Sequence, residues 1–252
     1  MQSTGNTILI TGGGSGLGAA LAHEFHIAGN QVIIAGRRQA ALDAVVADNP
    51  GMAAMVLDMT DAAAIVTFAQ KLVADFPALN AVLLNAGIMV AEDKIDLATA
   101  EATIATNLLG PIRLAHALLP HLEAQPASTI LTVSSGLAFV PLAATPTYSA
   151  TKAAIHGWSL AMRAQLQATS VELIEIVPPG VQTDLMPGHA DNDQMMPLAD
   201  FIAETMGLLR QQPALAEIHV ERVKFLSEAT QRGEFAQVFG MLNGGIEPTR
   251  RR

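Results

Sequence analysis

A single α/β domain, built as a doubly wound parallel sheet flanked by helices, is the fold this sequence predicts, and three observations carry it. Short runs rich in Ile, Val, Leu and Ala recur six times and alternate with stretches of helical pattern. Continuous apolar runs of that kind are strands covered on both faces, the condition of a parallel sheet. No internal repeat or low-complexity linker divides the 252 residues, a length within reach of one large domain. The unusual residues, moreover, follow directly on the ends of the strand-like runs, where an open parallel sheet gathers its ligands.

Taken in order, Thr7 to Ile10 is the first strand and enters TGGGSGLG, Thr11 to Gly18, before a helix from Ala19 to Ala28 that Gly29-Asn30 stops. Glycines in a strand–turn–helix setting let the backbone approach a pyrophosphate, while free N–H groups at the helix start bind the anion. The spacing is Gly12-x3-Gly16-x-Gly18, not the commoner G-x-G-x-x-G. Gln31 to Ala35 is the second strand and ends in Gly36-Arg37-Arg38. An acid at this distance would take a ribose 2′-hydroxyl and an arginine a 2′-phosphate, so the pair favours NADP(H), with NAD(H) the alternative. Arginines capping a surface loop would look the same.

Ala53 to Leu57 is the third strand, closed by Asp58, which either accepts from an adenine amino group or opens the next helix with Thr60 or Asp61 as N-cap. Helical pattern runs through Ala74, and a fourth strand, Ala81 to Leu84, ends in Asn85-Ala86-Gly87. Ala100 to Leu122 is helical with Gly110-Pro111 inside it, so a kink or break is expected near Asn107. That asparagine would satisfy freed backbone groups or hold a water. Thr129 to Val133 is the fifth strand, Thr147 to Gln167 a helix, and Val171 to Val177 a sixth strand ending in Pro178-Pro179-Gly180. Residues 186–197 read as a mobile substrate loop, and 198–246 as a helical C-terminal extension with room for a short strand at Glu217 to Val220.

The stretch Ser134 to Lys152 carries the chemistry. Tyr148 and Lys152 are four apart, so on a helix both project from one face, while Ser135 arrives from the end of the fifth strand. A phenol has a pKa of about 10, and a nearby cation lowers it. Together the three groups could protonate an alkoxide forming from a carbonyl beside a hydride source. By itself Tyr-x3-Lys also occurs where a tyrosine packs and a lysine is solvated. Leu137, Phe139, Val140, Leu142 and Met186, with Met195 and Met196, make an apolar wall for a small ketone, although the methionines could equally pack a loop.

Composition narrows the classes. Half the residues are hydrophobic and 15% charged, which excludes a disordered chain. A net charge of -9 argues against nucleic acid, the only basic cluster being the tail Arg250 to Arg252. Without cysteine there is no disulfide or thiolate site. No signal-like N-terminus or apolar run of ~18 residues appears, so a soluble cytoplasmic protein without a membrane partner is expected. His23 and His26 are three apart, not four, and no metal site is expected.

The ordered set TGGGSGLG, Asp58, Asn85-Ala86-Gly87, Asn107, Ser135, Tyr148-x3-Lys152 and Pro179-Gly180-x-x-Thr183 resembles the short-chain dehydrogenase/reductase superfamily over Thr7 to about Leu185. The segments SSGLAFVPLAATPTYSATKAAIHGWSL and VPPGVQTDL are similar to its DltE-type oxidoreductase subgroup. The resemblance implies one NAD(P)-binding Rossmann domain over 1–252. Tyr148 would be general acid and base, Lys152 would lower its pKa and hold the nicotinamide ribose, Ser135 would hold the substrate oxygen, and Asn107 would support a proton-relaying water. Gly12, Gly14, Ser15, Gly16, Leu17 and Gly18 would approach the cofactor phosphates, with Arg37 and Arg38 at the 2′-position. Asp58 and Asn85 would line the adenine side and Thr183 would meet the carboxamide, with Ala86, Gly87, Pro179 and Gly180 completing the set. Leu84, the Pro-Pro before Gly180, and a C-terminus without Asp-Gly-Gly depart from the family pattern. A homodimer is therefore the expected assembly and a homotetramer the alternative. The implied activity is hydride transfer between NADP(H) and a ketone or secondary alcohol. A catalytically silent dinucleotide sensor and an epimerase are its rivals.

Overall fold

The computed structural model describes residues 4–92, 96–211 and 215–245. Strands β1 (Thr7–Thr11), β2 (Gln31–Gly36), β3 (Ala53–Val56), β4 (Leu79–Leu84), β5 (Ser128–Val133), β6 (Val171–Val177) and β7 (Glu217–His219) form one sheet in the order β3-β2-β1-β4-β5-β6-β7. Every neighbouring pair is parallel. The order reverses between β1 and β4, and it is there, beyond the carboxyl ends, that a crevice opens.

Alternation along β1 explains the two layers. Ile8 and Ile10 point into a core with Leu21 and Phe25 of helix α1 (Gly16–Ile27) and Phe201 of helix α7 (Leu198–Leu209), while Leu9 points the other way. On that side it meets Phe68 and Leu72 of α3 (Ala62–Asp75) and Leu114 and Leu118 of α5 (Gly110–Glu123). All three β1 residues are fully buried, each contributing roughly 1.5–3 kcal/mol. Asp61 caps α3, accepting from the amides of Ala63 and Ala64 at 2.9 Å. Helix α2 (Gln39–Asp48) has no counterpart among the expected elements; it buries only Leu42, with Val45 and Val46 partly buried against the same core.

The expected break near Asn107 takes another form. Helix α4 (Leu97–Ile104) runs into α5 through a π-helical turn, Ala105–Leu109, and Pro111 follows directly on that turn as the second residue of α5. The widened turn aims Asn107 outward: its Oδ1 accepts from the Ile88 amide and its Nδ2 donates to the Ile88 carbonyl, both at 2.8 Å. The groups it satisfies thus belong to the segment after β4, not to the helix. The first turn of helix α6 (Pro146–Gln165) is held by Glu92, whose carboxylate accepts from the amide and hydroxyl of Thr147 at 3.0 and 2.8 Å.

Residues 186–197 run as successive turns whose end is tied down. Met196 donates its amide to Gly180 O at 2.8 Å, accepts from Gln182 at 2.9 Å and is buried. Beyond β7, helices α8 (Lys224–Ser227) and α9 (Phe235–Leu242) close a small core of Val140, Ala229 and Val238. Asn243 fastens this segment back, accepting from the Ala143 amide at 2.6 Å and donating to Pro141 O at 3.1 Å. Ile246 and the tail Arg250 to Arg252 lie outside the described residues. Among the described residues no helix is long and apolar enough to cross a membrane.

Gly110 lets the π turn approach β3's trailing loop: a Cβ there would lie 2.6 Å from Met59 O and 2.9 Å from Met59 Cβ. Gly110→Ala is expected to destabilise by about 1–3 kcal/mol in urea titration. Gly207→Ala, in α7 with nothing within 4 Å of the new methyl, is expected to stabilise by about 0.5–1 kcal/mol.

Candidate active site

The ends of the strands enclose a cleft of about 950 Å³. At one side it is walled by the β1–α1 turn. Gly12, with φ +69°, has no room for a side chain, since a Cβ would sit 2.9 Å from both Ala86 Cα and Asn85 Nδ2. A Cβ on Gly18 would lie 2.3 Å from Gly12 O, so this glycine seats α1 on the turn and does not line the cleft. Gly14, Ser15, Gly16 and Leu17 do line it, and Ser15, the N-cap of α1, makes no side-chain capping bond. The turn is locked to β4 by Thr11, whose Oγ1 accepts from the amides of Asn85 and Ala86 at 3.0 and 3.1 Å, while Asn85 Nδ2 donates to Thr11 O at 3.0 Å. Asn85, Ala86 and Gly87 thereby take fixed places on the cleft wall.

Arg37 and Arg38 stand exposed at the end of β2 and line the same cleft, and among the described residues neither enters an ion pair. Asp58 faces them across the rim. Its Oδ1 accepts from Thr60 N and Oγ1 at 2.9 and 2.8 Å, and the backbone bond above all holds its carboxyl below the usual range. Asp61, not Asp58, starts the next helix.

Ser135, Tyr148 and Lys152 meet on the opposite wall, and all three are buried. Ser135 is placed by β5 and by a 3-10 turn, Gly136–Ala138, its Oγ accepting from the Leu137 amide at 3.1 Å. Lys152 Nζ donates to Val133 O at 2.9 Å and lies 5.5 Å from the centroid of the Tyr148 ring. Burial decides the electrostatics. It pushes the Tyr148 phenol up to about 12, against a smaller opposing pull from Ser135, and brings Lys152 down to about 8. Burial thus acts on the phenol in the direction opposite to the one expected of Lys152, and Ser135 is the group that draws it down. Ser134 also lines the cleft, and its buried hydroxyl has no hydrogen-bond partner among the described residues.

Asn107 stands behind this wall, its Nδ2 3.4 Å from Thr151 Oγ1, which itself donates to Tyr148 O at 2.7 Å. Pro179, Gly180 and Thr183 line the cleft, with Thr183 side-chain atoms 3.6 Å from the Cβ position of Gly16. Of the expected apolar wall, Leu137 and Leu142 face the cleft but Phe139 and Met186 do not. The Phe139 ring packs instead on His156 and His219, with centroids 4.6 and 5.9 Å apart. Of the three methionines expected there Met195 lines the cleft and Met186 and Met196 do not, while Gln194, Arg222, Phe225, Leu226 and Leu242 complete the wall. No local motif announced these residues; they arrive because Leu226 and Val223 pack onto Gly136, where a Cβ would lie 2.7 and 3.0 Å from them.

With this geometry in hand, relatives can be compared. A family profile described as short chain dehydrogenase matches residues 6–194. The chain is 36% identical over 251 residues to the protein named uncharacterized oxidoreductase DltE from Bacillus subtilis, covering 96% of this chain and 98% of that one. It is 29% identical over 194 residues to sulfoacetaldehyde reductase 2 from Chromohalobacter salexigens, covering 74% and 77%. Among solved structures, a short chain dehydrogenase from Burkholderia cenocepacia in complex with NADP superposes with a TM-score of 0.81 at 21% identity, covering 94% of this chain and 99% of that one. A parallel sheet reversing at a glycine turn and a profile match over most of the chain agree: the protein belongs to the short-chain dehydrogenase/reductase family of nicotinamide-dependent oxidoreductases.

Proposed function

We propose that the protein is an NADP(H)-dependent carbonyl reductase, or secondary-alcohol dehydrogenase in the reverse direction, with Tyr148 as general acid and base. One observation carries the reading: Tyr148, Lys152 and Ser135 share one buried wall of the cleft whose other wall is the glycine turn. The residues fit a dinucleotide. Gly12 packs the turn directly onto Ala86 and Asn85, Gly14, Ser15 and Gly16 line the cleft at the start of α1 where a pyrophosphate would sit, and Arg37 and Arg38, with no ion pair among the described residues, stand where a 2′-phosphate would lie. A reduced nicotinamide supplies the hydride when bound. A phenol held near 12 stays protonated at neutral pH yet is more acidic than an aliphatic alcohol, so it can give its proton to an oxygen becoming alkoxide. Ser135 would steady that oxygen, and Lys152, anchored on Val133 O, would hold positive charge behind the phenolate left by transfer.

Leu137, Leu142, Leu226 and Leu242 suit a small apolar carbonyl compound. Arg222 favours a second reading within the same chemistry. It lines the cleft from the substrate side, where its Nη2 donates to Gln194 O at 2.7 Å, and it could meet an anionic group on the carbonyl compound, as a sulfoacetaldehyde would carry. Exposed Ile104, Leu109 and Leu160 along α4–α5 and α6 support self-association as a dimer or tetramer through those helices.

Purified protein should oxidise NADPH with a ketone from a panel of neutral and anionic carbonyl compounds, read as loss of the reduced-cofactor absorbance. Tyr148→Phe is expected to lower kcat by about 10²–10⁴-fold with little change in cofactor affinity; full activity in that variant would reject the assignment. Arg37→Ala is expected to raise the NADPH KM about tenfold and leave that for NADH in place, because a charge-assisted bond to phosphate is worth ~1.5 kcal/mol. An unchanged NADPH KM would remove the 2′-phosphate role.

A further inference from the structure

The polar stripe on α6 does not stop at the cleft. Tyr148, Lys152 and His156 follow one another at one-turn spacing, and Ser159 and Arg163 continue the line beneath the helix. Facing it, the sheet presents a polar row across three adjacent strands, Thr132 on β5, Glu175 on β6 and Glu217 on β7, paired in register. Each side chain in the row meets one from the helix. Ser159 and Thr132 hydroxyls lie 2.8 Å apart, His156 Nδ1 is 3.0 Å from both oxygens of Glu175, and Arg163 Nη1 is 3.4 Å from Glu217 Oε1.

Glu175 is the member without an ordinary explanation. It is fully buried within a parallel strand, between Leu173, Ile174 and Ile176, and it does not line the cleft. A carboxylate in such a place carries a large desolvation cost, and an apolar residue would serve packing at least as well. What distinguishes the position is its neighbour. Lys152 donates to the carbonyl of Val133, the residue after Thr132, so the ammonium and the Glu175 carboxylate occupy adjacent rungs of the sheet beneath adjacent turns of one helix. Burial draws Lys152 toward its neutral form, and the charge of Glu175 opposes it.

We propose that Glu175, oriented by His156, is a positioning residue that keeps Lys152 a cation beside Tyr148. This rests on the roles given to Tyr148 and Lys152 above. The surroundings fit a charge held in reserve. His156 is drawn toward protonation chiefly by its bond to Glu175, and the Phe139 ring covers its outer face. From β7, Glu217 is engaged by Arg163 and by His219, whose Nε2 is 3.1 Å from Glu217 Oε2 and whose Nδ1 is 2.9 Å from Ser227 Oγ on α8. Ligand atoms of His156, Glu175 and Glu217 fall within 4.8 Å of one another. Each carboxylate already has its own cation or imidazole, however, so the group is an ion-pair cluster and not a vacant metal cage.

The test needs neither substrate nor cofactor. The chain has four lysines, so lysine labelled with ¹³C at Cε gives a spectrum in which the Lys152 signal is assigned by its loss in Lys152→Met. In Glu175→Gln, which keeps size and an acceptor for His156, the Lys152 titration midpoint should move acid by about one pH unit. Glu175→Asp, which restores the charge, should bring it back toward the wild-type value. His156→Gln, which leaves the carboxylate, should not move it acid. The basic limb of kcat/KM for ketone reduction should follow the same order. An unmoved Lys152 midpoint in Glu175→Gln overturns the proposal, as does an equal acid shift in the Gln variants of both residues, which would mark a packing effect. Should Glu175→Gln not fold, the midpoints of Glu175→Asp and His156→Gln decide, a shift to acid in His156→Gln counting against. Failure to turn over any ketone would instead reject the proposed reaction and leave the titration to be read by itself.

Discussion

A lysine amine held indoors is the constraint around which this structure is arranged. Lys152 is buried and tied to a strand carbonyl, and a buried amine keeps its charge only if nearby groups offset the loss of water. That requirement explains why α6 turns a polar stripe toward the sheet where helices of parallel folds usually turn an apolar one. It also explains why the helix start is fixed so firmly. Glu92 caps it, Thr151 bonds back to Tyr148 O, and Asn107 reaches Thr151 from a π-helical turn.

The opposite wall obeys a steric constraint. Gly12, Gly13 and Gly18 each sit where a Cβ would come within 3.0 Å of another atom, so the β1–α1 turn packs directly on β2 and on the end of β4. Thr11 and Asn85 then weld the turn to β4 by three hydrogen bonds of 3.0–3.1 Å. The result is a closely packed turn whose Gly14, Ser15, Gly16 and Leu17 line the cleft. The two cations at the end of β2 add a charged edge to it.

The third wall comes from the last part of the chain. Leu226 and Val223 pack on Gly136, directly after Ser135, and Asn243 clasps the loop before α6. Cleft-lining residues such as Arg222 and Phe225 are thereby carried to their places by packing contacts far from any motif. Phe139 does not line the cleft, and its ring packs on His156 and His219.

How much of this could be read from residues alone depends on how local each feature is. The strands, the glycine turn, and the Tyr148–Lys152 spacing were legible, because a strand's burial, a turn's need for glycine and a one-turn separation are all written within a few residues. The family resemblance then ordered them into one cleft. Helix α2 and the seventh strand were faint, the first because Leu42 alone is fully committed to the core and the second for its shortness. The phenol's raised pKa, the orphaned hydroxyl of Ser134, the pairing of Glu175 with His156 and the arrival of Arg222 belong to the tertiary structure. Each depends on which distant groups surround a side chain and how much water they exclude, and neither quantity is encoded by neighbours along the chain.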